Sequence, residues 1–312
     1  MPSRLATVSG SPMLRTYAQG AAQEAIQPVA DFLAPTVPVG TSIGRFKKYT
    51  EKNRFRIPST IRGMGGRATE LSFAVTDETF NCAPHALDFP VDNLEEYEAN
   101  QSGLESVLQE GASLVAEVAG LAHEKLVLDT ALTAIGGGDN KTWNSSADPV
   151  NDVDSAILNV IKTAKYGSLM GVGVLFGASA FRIFKNQANV RARFVTAGNA
   201  AIPNITPEAA SSLFIGQPDV RVSYMVYDDA PEGVAEDIKF VLDSTVLVFA
   251  RRANPTRRDP SFMKTFRLTN NYMVPGSYQR DDGRVEVAKF DWSEDVKVTN
   301  SPAAKRLNIA ES

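Results

Sequence analysis

The sequence predicts a fold of mixed α-helices and β-strands in which two segments have little hydrophobic core of their own. Apolar residues recur with helical spacing after residue 92, and strand-like apolar runs follow towards the end of the chain. A proline-rich segment and a glycine-broken basic hairpin precede them. The hydrophobic fraction of 43% and the charged fraction of 22% are ordinary for a globular protein of 312 residues.

The first 43 residues are predicted to form an extended arm. They contain Pro2, Pro12, Pro28, Pro35 and Pro38, a spacing that does not permit a long helix. The N-terminal residues lack the apolar stretch of a signal peptide, and no window reaches the roughly 20 apolar residues of a membrane span. A single cysteine excludes an intrachain disulfide, so we expect a soluble protein of a reducing compartment with no membrane partner.

Residues 45–91 are predicted to form a long two-stranded excursion. On its return side Leu71, Phe73 and Val75 alternate with smaller or polar residues, the period of a half-buried strand. The glycines of "STIRGMGGR" provide a flexible tip. Because a hairpin of this length is not stable alone, we expect it to lie on another surface.

A long amphipathic helix is predicted over residues 92–135. Asp92 and Glu95 suggest a capping box, and a run of glycines from Gly136 ends the helix. Gly103, Gly111 and Gly120 predict a bend or break, most of all in the first half. The apolar face is predicted to comprise Leu104, Leu108, Val115, Val118, Ala122 and Leu126. Glu110, Glu117 and Glu124 are predicted on another face, with His123 half-buried.

The rest of the chain alternates between helical and strand-like patterns. Residues 152–165 and 179–194 are predicted helices, and "GVGVLFG", "VRVSYMVYD" and "IKFVLDSTVLVFA" are predicted strands of a central sheet. Asp282 and Gly283 suit a hairpin turn. The strand after it, "VEVAKFDWSEDVKVTN", changes its apolar face near Ala288, as at a bulge or a strong twist.

Local motifs for catalysis or cofactor binding do not match their required patterns. The glycines of "MGVGVLFG" lie before or within a strand instead of opening a helix, and no acidic residue follows at the spacing of a dinucleotide site. "HEKLV" at His123 lacks the second histidine of a zinc motif, and no histidine follows it to complete a Ser-His-Asp order after "GASAF". We therefore predict no catalytic residue, no metal ligand and no cofactor, and a protein that is not an enzyme.

The charge distribution is more informative than any motif. Residues 44–70 carry eight basic and two acidic residues, whereas residues 88–129 carry ten acidic residues and one lysine. Both could be solvated surfaces, or the hairpin could bind DNA together with the basic segment at 251–267. We favour a third interpretation, in which the hairpin contacts the acidic helix of another copy, a heterologous contact that repeats into rings or lattices. The net charge of −4 argues against a protein that condenses nucleic acid.

The residues predicted to make this intersubunit contact fall into two sets. The basic set of the hairpin comprises Lys52, Arg54, Arg56, Arg62 and Arg67. The acidic set of the helix comprises Glu95, Glu96, Glu98, Glu105, Glu110 and Glu117. A second basic cluster, which could face a partner subunit or packaged nucleic acid, comprises Arg251, Arg252, Arg257 and Arg258, with Lys264 and Arg267 nearby.

Taken in order, these segments resemble the major capsid proteins of tailed bacteriophages, which have the Hong Kong 97-type fold. The resemblance covers nearly the whole chain. It rests on the proline-rich arm, the hairpin "YTEKNRFRIPSTIRGMGGRATELSF" and the helix through "EGASLVAEVAGLAHEKLVLDTAL". It continues through "VLFGASAFRIFKNQANVR", "VRVSYMVYDDAPEG", "STVLVFARRANPTRRDPSFMKTF" and "VEVAKFDWSEDVKVTN".

This resemblance implies an α+β subunit with defined parts. Residues 1–43 would be the N-terminal arm, 44–90 the extended loop, 91–150 with 271–300 the peripheral domain with its spine helix, 151–270 the axial domain, and 301–312 a C-terminal tail. In that fold the extended loop lies over the peripheral domain of an adjacent subunit. Some relatives cross-link a loop lysine to an asparagine, and Lys47, Lys48 and Lys52 lie in the corresponding region.

The resemblance also implies a structural function. The protein would self-assemble into pentamers and hexamers of an icosahedral shell around double-stranded DNA, in a virion assembled in the host cytoplasm. Its partners would be other copies, a separate scaffolding protein, a portal, a decoration protein and DNA bound without sequence specificity. The alternatives are an encapsulin-like enzyme-storage shell of the same fold, and a DNA-binding protein that uses residues 45–67 and 251–267.

Overall fold

The computed structural model describes residues 28–48, 60–62, 64–67, 76–102, 106–164, 171–195, 204–231, 233–269 and 274–310. Two five-stranded sheets, a long helix and several shorter helices form the body of the described chain. The helices are α1 (Pro28–Leu33), α2 (Asn93–Gln101), α3 (Val107–Ile135), α4 (Pro149–Ala164), α5 (Ala178–Asn186), α6 (Ala188–Val195) and α7 (Pro207–Ser211). The strands are β1 (Thr36–Val39), β2 (Ile43–Lys48), β3 (Thr76–Asn81), β4 (Ala83–Asp92), β5 (Asp139–Thr142), β6 (Val172–Gly177), β7 (Asp219–Ser223), β8 (Val226–Asp228), β9 (Ile238–Phe240), β10 (Thr245–Ala250), β11 (Met263–Leu268), β12 (Val274–Gln279), β13 (Val285–Val298) and β14 (Ala304–Ala310).

The first sheet is built around the 14-residue strand β13. Its order is β1-β11-β13-β12, and β4 also pairs with β13. The turn at Gly283, where φ is +69°, joins β12 to β13 as the sequence predicts. The predicted bulge near Ala288 is wrong, because that residue pairs in unbroken register with Ser277 on one side and Phe89 on the other. The apolar pattern changes along β13 because its neighbours change from β12 to β11.

The second sheet has the order β5-β14-β10-β6-β7 and contains the most buried strand. Every residue of β10 is buried, as expected for a central strand covered on both faces. Helices α4 and α5 pack against this sheet. The division into domains stays a prediction, but Ala304–Ala310 is a strand between β5 and β10 and not a free tail.

Part of the predicted N-terminal arm belongs to the core. Val29, Phe32 and Leu33 of α1 are each at most 4% exposed, and β1 pairs in parallel with β11. The expectation that this stretch buries little surface is therefore wrong from Pro28 onwards. The proline at residue 28 begins α1, where its missing N–H costs nothing.

The long helix, called the spine helix below, is α3. The helical segment is interrupted between Gln101 and Val107, so the predicted interruption in its first half is confirmed. The spine helix ends at Gly136, which has φ of +74°. Gly111 does not interrupt the helix. A Cβ at Gly111 would lie 2.2 Å from Cδ1 of Phe89, so this glycine permits close packing of the helix on β4.

The predicted apolar face of the spine helix is largely wrong. Val115 is buried and Leu108 is half-buried, but Val118, Ala122 and Leu126 are exposed. The helix packs on the sheets through a different face, rich in small residues that allow close approach. That face includes Gly111, Ala112, Val115, Ala116, Ala119, Gly120, Val127, Leu128 and Ala131. Among the described residues, no helix is long and apolar enough to cross a membrane.

The base of the extended loop is a two-stranded ladder of β2 and β3. Phe80 stacks on Phe266 with ring centroids 4.5 Å apart, and Phe46 and Cys82 join the same buried cluster. This cluster fixes the point where the loop leaves the first sheet. The alternating residues Leu71, Phe73 and Val75 lie outside the described residues.

Candidate functional site

The described part of the extended loop tip carries exposed basic and apolar side chains together. Arg62 and Arg67 are exposed. Ile61 is 91% exposed and Met64 is fully exposed. Lone surface apolar residues need no explanation, but two highly exposed ones beside arginines favour an interaction site. The other predicted loop residues, Lys52, Arg54 and Arg56, lie outside the described residues.

The predicted acidic set divides between exposed and internally bonded side chains. Glu95, Glu98, Glu110 and Glu117 are exposed. Glu96 is half-buried instead, and its Oε2 accepts a hydrogen bond from the backbone N of Leu108 at 3.1 Å. A carboxylate at the first turn of a helix stabilises the helix dipole. Glu96 therefore caps the spine helix, a role that the sequence analysis did not assign to it, and its intersubunit contact stays a prediction. Glu105 lies outside the described residues.

Glu110 and Glu117 share the exposed face of the spine helix with apolar side chains. Leu114 is 48% exposed and Val118 is 44% exposed. Spacings of three and four residues place all four side chains on one side of the helix. The result is a strip in which carboxylates flank aliphatic groups, called the acidic strip below. It has the complementary charge and a similar apolar character to the loop tip.

Glu124, the third glutamate of the predicted seven-residue repeat, is buried. It is 1% exposed, and its Oε2 accepts a hydrogen bond from the backbone N of Ala30 at 3.0 Å. Its Oε1 has no hydrogen-bond partner among the described residues. Burial raises the pKa of Glu124 to about 7; the Ala30 N–H opposes this rise and the carboxylate of Asp31 adds to it. The spine helix and α1 are thus joined by a carboxyl group that titrates near neutrality.

No pattern in the sequence predicts the buried polar cluster that lies next to this contact. His123 Nδ1 lies 2.9 Å from Glu294 Oε1, and Arg267 donates from Nε to Glu294 Oε2 at 3.1 Å. Arg267 Nη2 lies 2.9 Å from His123 Nε2. Because a guanidinium can only donate, Nε2 accepts and Nδ1 carries the proton. His123 is 2% exposed, so the prediction of a half-buried histidine is wrong.

This cluster joins four elements that are distant in the sequence. Burial alone would raise the pKa of Glu294, but its hydrogen bonds to His123 and Arg267 and the positive charge of Arg267 outweigh burial and hold that pKa below its usual value. Arg267 Nη1 also donates to Thr36 Oγ1 at 2.9 Å. The spine helix, β1, β11 and β13 therefore share one hydrogen-bond network, which is buried at His123, Arg267 and Glu294 and half-buried at Thr36. Such a network specifies a single packing.

The second basic cluster is not a single surface. Arg252, Arg257 and Arg258 are exposed. Arg251 is half-buried, with its guanidinium 4.4 Å from the ring centroid of Phe32 and 2.9 Å from Asp219. Burial lowers the pKa of Arg251, although it stays a cation at physiological pH.

The two remaining cations of that segment are internal. Lys264 is 0% exposed and lies 3.1 Å from Asp259 Oδ2. Its Nζ also donates to the backbone oxygens of Thr256 and Asp259 at 2.6 Å each. Lys264 therefore fixes the loop between β10 and β11, and Arg267 belongs to the buried cluster described above. Neither can contact a partner or nucleic acid.

The exposed part of this loop is coupled to the base of the extended loop. The guanidinium of Arg257 lies 5.5 Å from the ring centroid of Phe80, and its carbonyl accepts a hydrogen bond from Lys47 N at 3.3 Å. The internal pair of Lys264 and Asp259 thus positions the loop that supports β2. Within the described residues, no group of three or more His, Cys, Asp or Glu side chains is arranged to hold a metal ion.

Comparison with known proteins identifies the architecture. Over 148 residues the sequence is 26% identical to the major capsid protein of Pseudomonas phage JBD67, covering 45% of this chain and 48% of that protein. The chain thus matches about half the length of this relative. The fold matches a phage-related protein of Bordetella bronchiseptica RB50 with a TM-score of 0.68 and 17% identity, over 96% of this chain and 97% of that one.

A chain of the mature capsid of bacteriophage PhiM1 also matches, with a TM-score of 0.58 and 10% identity over 89% of this chain and 86% of that one. The chain has the phage capsid fold. The α+β prediction and the recognition of this fold are therefore confirmed. No model of a known protein family matches the sequence.

The same fold is found in an encapsulin. The holo-SrpI encapsulin complex of Synechococcus elongatus PCC 7942 matches with a TM-score of 0.54 and 12% identity, over 91% of this chain and 88% of that one. The fold alone therefore does not separate a virus shell from an encapsulin.

Proposed function

We propose that this chain is the major capsid protein of a tailed bacteriophage, a structural subunit that self-assembles into the icosahedral head. The observation that carries the proposal is the agreement of fold and sequence: 89% of the chain matches a phage capsid chain in fold, and the sequence match, over 45% of the chain, is to a major capsid protein. In this function the chain acts by assembly and not by catalysis. Its copies form pentamers and hexamers of a virion shell, assembled in the host cytoplasm.

We further propose that the extended loop tip docks on the acidic strip of a neighbouring copy. Arg62 and Arg67 would face Glu110 and Glu117, while Ile61 and Met64 would cover Leu114 and Val118. The exposure of all eight side chains in the single subunit supports this arrangement. Charged pairs of this kind set register and encounter rate, whereas the apolar contacts provide most of the affinity.

Charge reversal with rescue tests the docking. Arg62→Glu with Arg67→Glu should abolish shells and leave the subunit folded, because both side chains are exposed. Glu110→Lys with Glu117→Lys should do the same. The variant with all four changes should recover shells, since opposite charges would face each other again. Electron microscopy and sedimentation score assembly, and circular dichroism confirms the fold. Normal shells from both double variants would overturn the docking proposal.

The remaining partners are inferred from the proposed head function. They are a separate scaffolding protein, a portal, a decoration protein and double-stranded DNA bound without sequence specificity. Arg252, Arg257 and Arg258 are the exposed cations of the second basic cluster that could contact DNA. The burial of Lys264 and Arg267 weakens the alternative of a dedicated DNA-binding protein, which predicts a steep loss of duplex affinity with salt.

The encapsulin alternative is kept because of the structural match to such a shell. The contents of purified shells decide between the two. A head protein expressed with its scaffold should give shells that accept DNA, whereas an encapsulin should give shells that retain an enzyme cargo from its host.

A further inference from the structure

The β8–β9 hairpin presents an uncovered apolar face. Val226 pairs with Phe240, and Ile238 lies two residues away on the same side of the ladder. These side chains are 44%, 42% and 56% exposed, respectively. A two-stranded ladder is marginally stable by itself, so an apolar face left in water indicates a surface that is covered in the assembled state.

The opposite face of the hairpin is already used within the subunit. Tyr227 alternates with Val226 and so points the other way, where Lys125 Nζ of the spine helix lies 4.3 Å from its ring centroid. Lys239, paired with Tyr227 in the ladder, holds Asp229 and Asp237 at 2.7 Å each. The hairpin is therefore held against the spine helix with its apolar face turned away from this contact.

The hairpin is also strongly acidic. Its described residues include four exposed carboxylates and one lysine; the carboxylates are Asp228, Asp229, Glu236 and Asp237. Helices α5 and α6 have the opposite character. Together they contain four basic residues and no acidic residue, and Lys185, Arg191 and Arg193 are at least partly exposed. Both surfaces are accessible in the single subunit, where Arg193 also pairs with Asp148 at 2.7 Å.

We infer that the acidic apolar hairpin of one copy docks on the basic face of α5 and α6 of the next copy around a ring. Two different patches that fit each other make a heterologous contact, which closes into rings when the rotation permits. The occupant is a second copy, because the same chain provides both the negative hairpin and the positive helices. The inference rests on the proposed capsid function and adds a ring contact distinct from the contact of the extended loop.

Reversing the charge of each surface tests the inference. Glu236→Lys with Asp237→Lys should reduce the yield of shells at least tenfold, and added salt should partly restore the yield because it screens the new repulsion. Lys185→Glu with Arg191→Glu should have the same effect. A variant with all four changes restores opposite charges at every ring contact and should recover at least half of the wild-type yield. Shell yield is measured by sedimentation velocity and electron microscopy, with urea denaturation to confirm that each subunit is folded.

A matched control separates contact from net charge. Glu236→Lys and Asp237→Lys are combined with Arg280→Glu and Arg284→Glu in the exposed turn between β12 and β13. This variant has the same net charge as the four-change variant but leaves like charges at the proposed contact, so it should not recover shells. Recovery by this control, or normal assembly of either double variant, would overturn the inference. Neither outcome would affect the capsid proposal, which depends on whether the wild-type chain forms shells.

Discussion

The carboxyl group of Glu124 should make the subunit less stable at neutral pH than at acidic pH. Glu124→Gln keeps an oxygen that can accept the Ala30 N–H and removes the titration. Both the protonated carboxyl of the wild type and the amide of the variant place an unpaired donor in the same buried space, so their costs roughly cancel at low pH. The difference between the two proteins then isolates the ionisation of one group.

The magnitude follows from the pKa. The pKa of Glu124 rises from 4.5 to about 7 in the folded protein because the side chain is buried, and the neighbouring carboxylate of Asp31 adds to the rise. The native state thus holds the proton while the unfolded chain releases it between these pH values, and the free energy of unfolding falls as pH rises. At 1.36 kcal/mol per pH unit, the penalty is absent below about pH 4.5 and reaches about 3 kcal/mol above about pH 7.

Urea denaturation of the unassembled subunit between pH 4.5 and pH 7.5 measures this effect through the fluorescence of the buried Trp143 and Trp292. Relative to wild type, Glu124→Gln should gain about 3 kcal/mol across the range. Glu117→Gln, at an exposed site seven residues earlier on the same helix, is the matched control and should show no such gain. A Glu124→Gln difference that stays constant with pH, or that favours wild type near pH 7.5, would refute the reasoning.

Three further predictions concern packing, a buried ion pair and a buried thiol. Gly177→Ala should cost about 3 kcal/mol of unfolding free energy or more, because the new Cβ would lie 1.9 Å from the backbone oxygen of Asp243; a wild-type urea midpoint would contradict this. Lys264→Met should cost about 3–5 kcal/mol by leaving Asp259 buried and unpaired, and adding Asp259→Asn should recover much of the loss in the same assay. Cys82, whose thiol pKa is raised by burial, should react with iodoacetamide only as the protein unfolds in urea; rapid alkylation of the native subunit would show that it is accessible.

Features that depend on local sequence were predicted well. The end of the spine helix at Gly136 and the turn at Gly283 both require positive φ, which glycine provides at low cost. The N-cap of α2 was also predicted: the side chain of Asp92 accepts a hydrogen bond from Leu94 N at 2.8 Å. The order of such local signals along the chain was sufficient to recognise the capsid fold.

Features that depend on distant contacts were not predictable from spacing. The spine helix buries a face rich in alanine and glycine and exposes Leu114 and Val118, so hydrophobicity alone selected the wrong side. Glu124 belonged to a regular acidic repeat, and only the packing of α1 buries it. Lys264 and Arg267 were predicted as members of a basic cluster on the surface. Lys264 is instead paired with Asp259, five residues earlier, and Arg267 is paired with Glu294, which is far along the chain.

The candidate surfaces follow the same division. Composition alone predicted that a basic loop and an acidic helix face are complementary. It could not separate Glu96, which caps the spine helix, from Glu110 and Glu117, which remain exposed. The strands of the β8–β9 hairpin were predicted to belong to the central sheet, but their apolar face is exposed. Strand periodicity does not show whether a second layer covers a face.

The most direct test of the capsid proposal is electron microscopy of the purified protein after sedimentation of its high-mass fraction. The proposal predicts closed shells or flat hexameric sheets formed by the chain, with its scaffolding protein supplied where the chain alone does not assemble. A chain that stays monomeric with scaffold and crowding agents, and that binds duplex DNA with a steep dependence on salt, would contradict it.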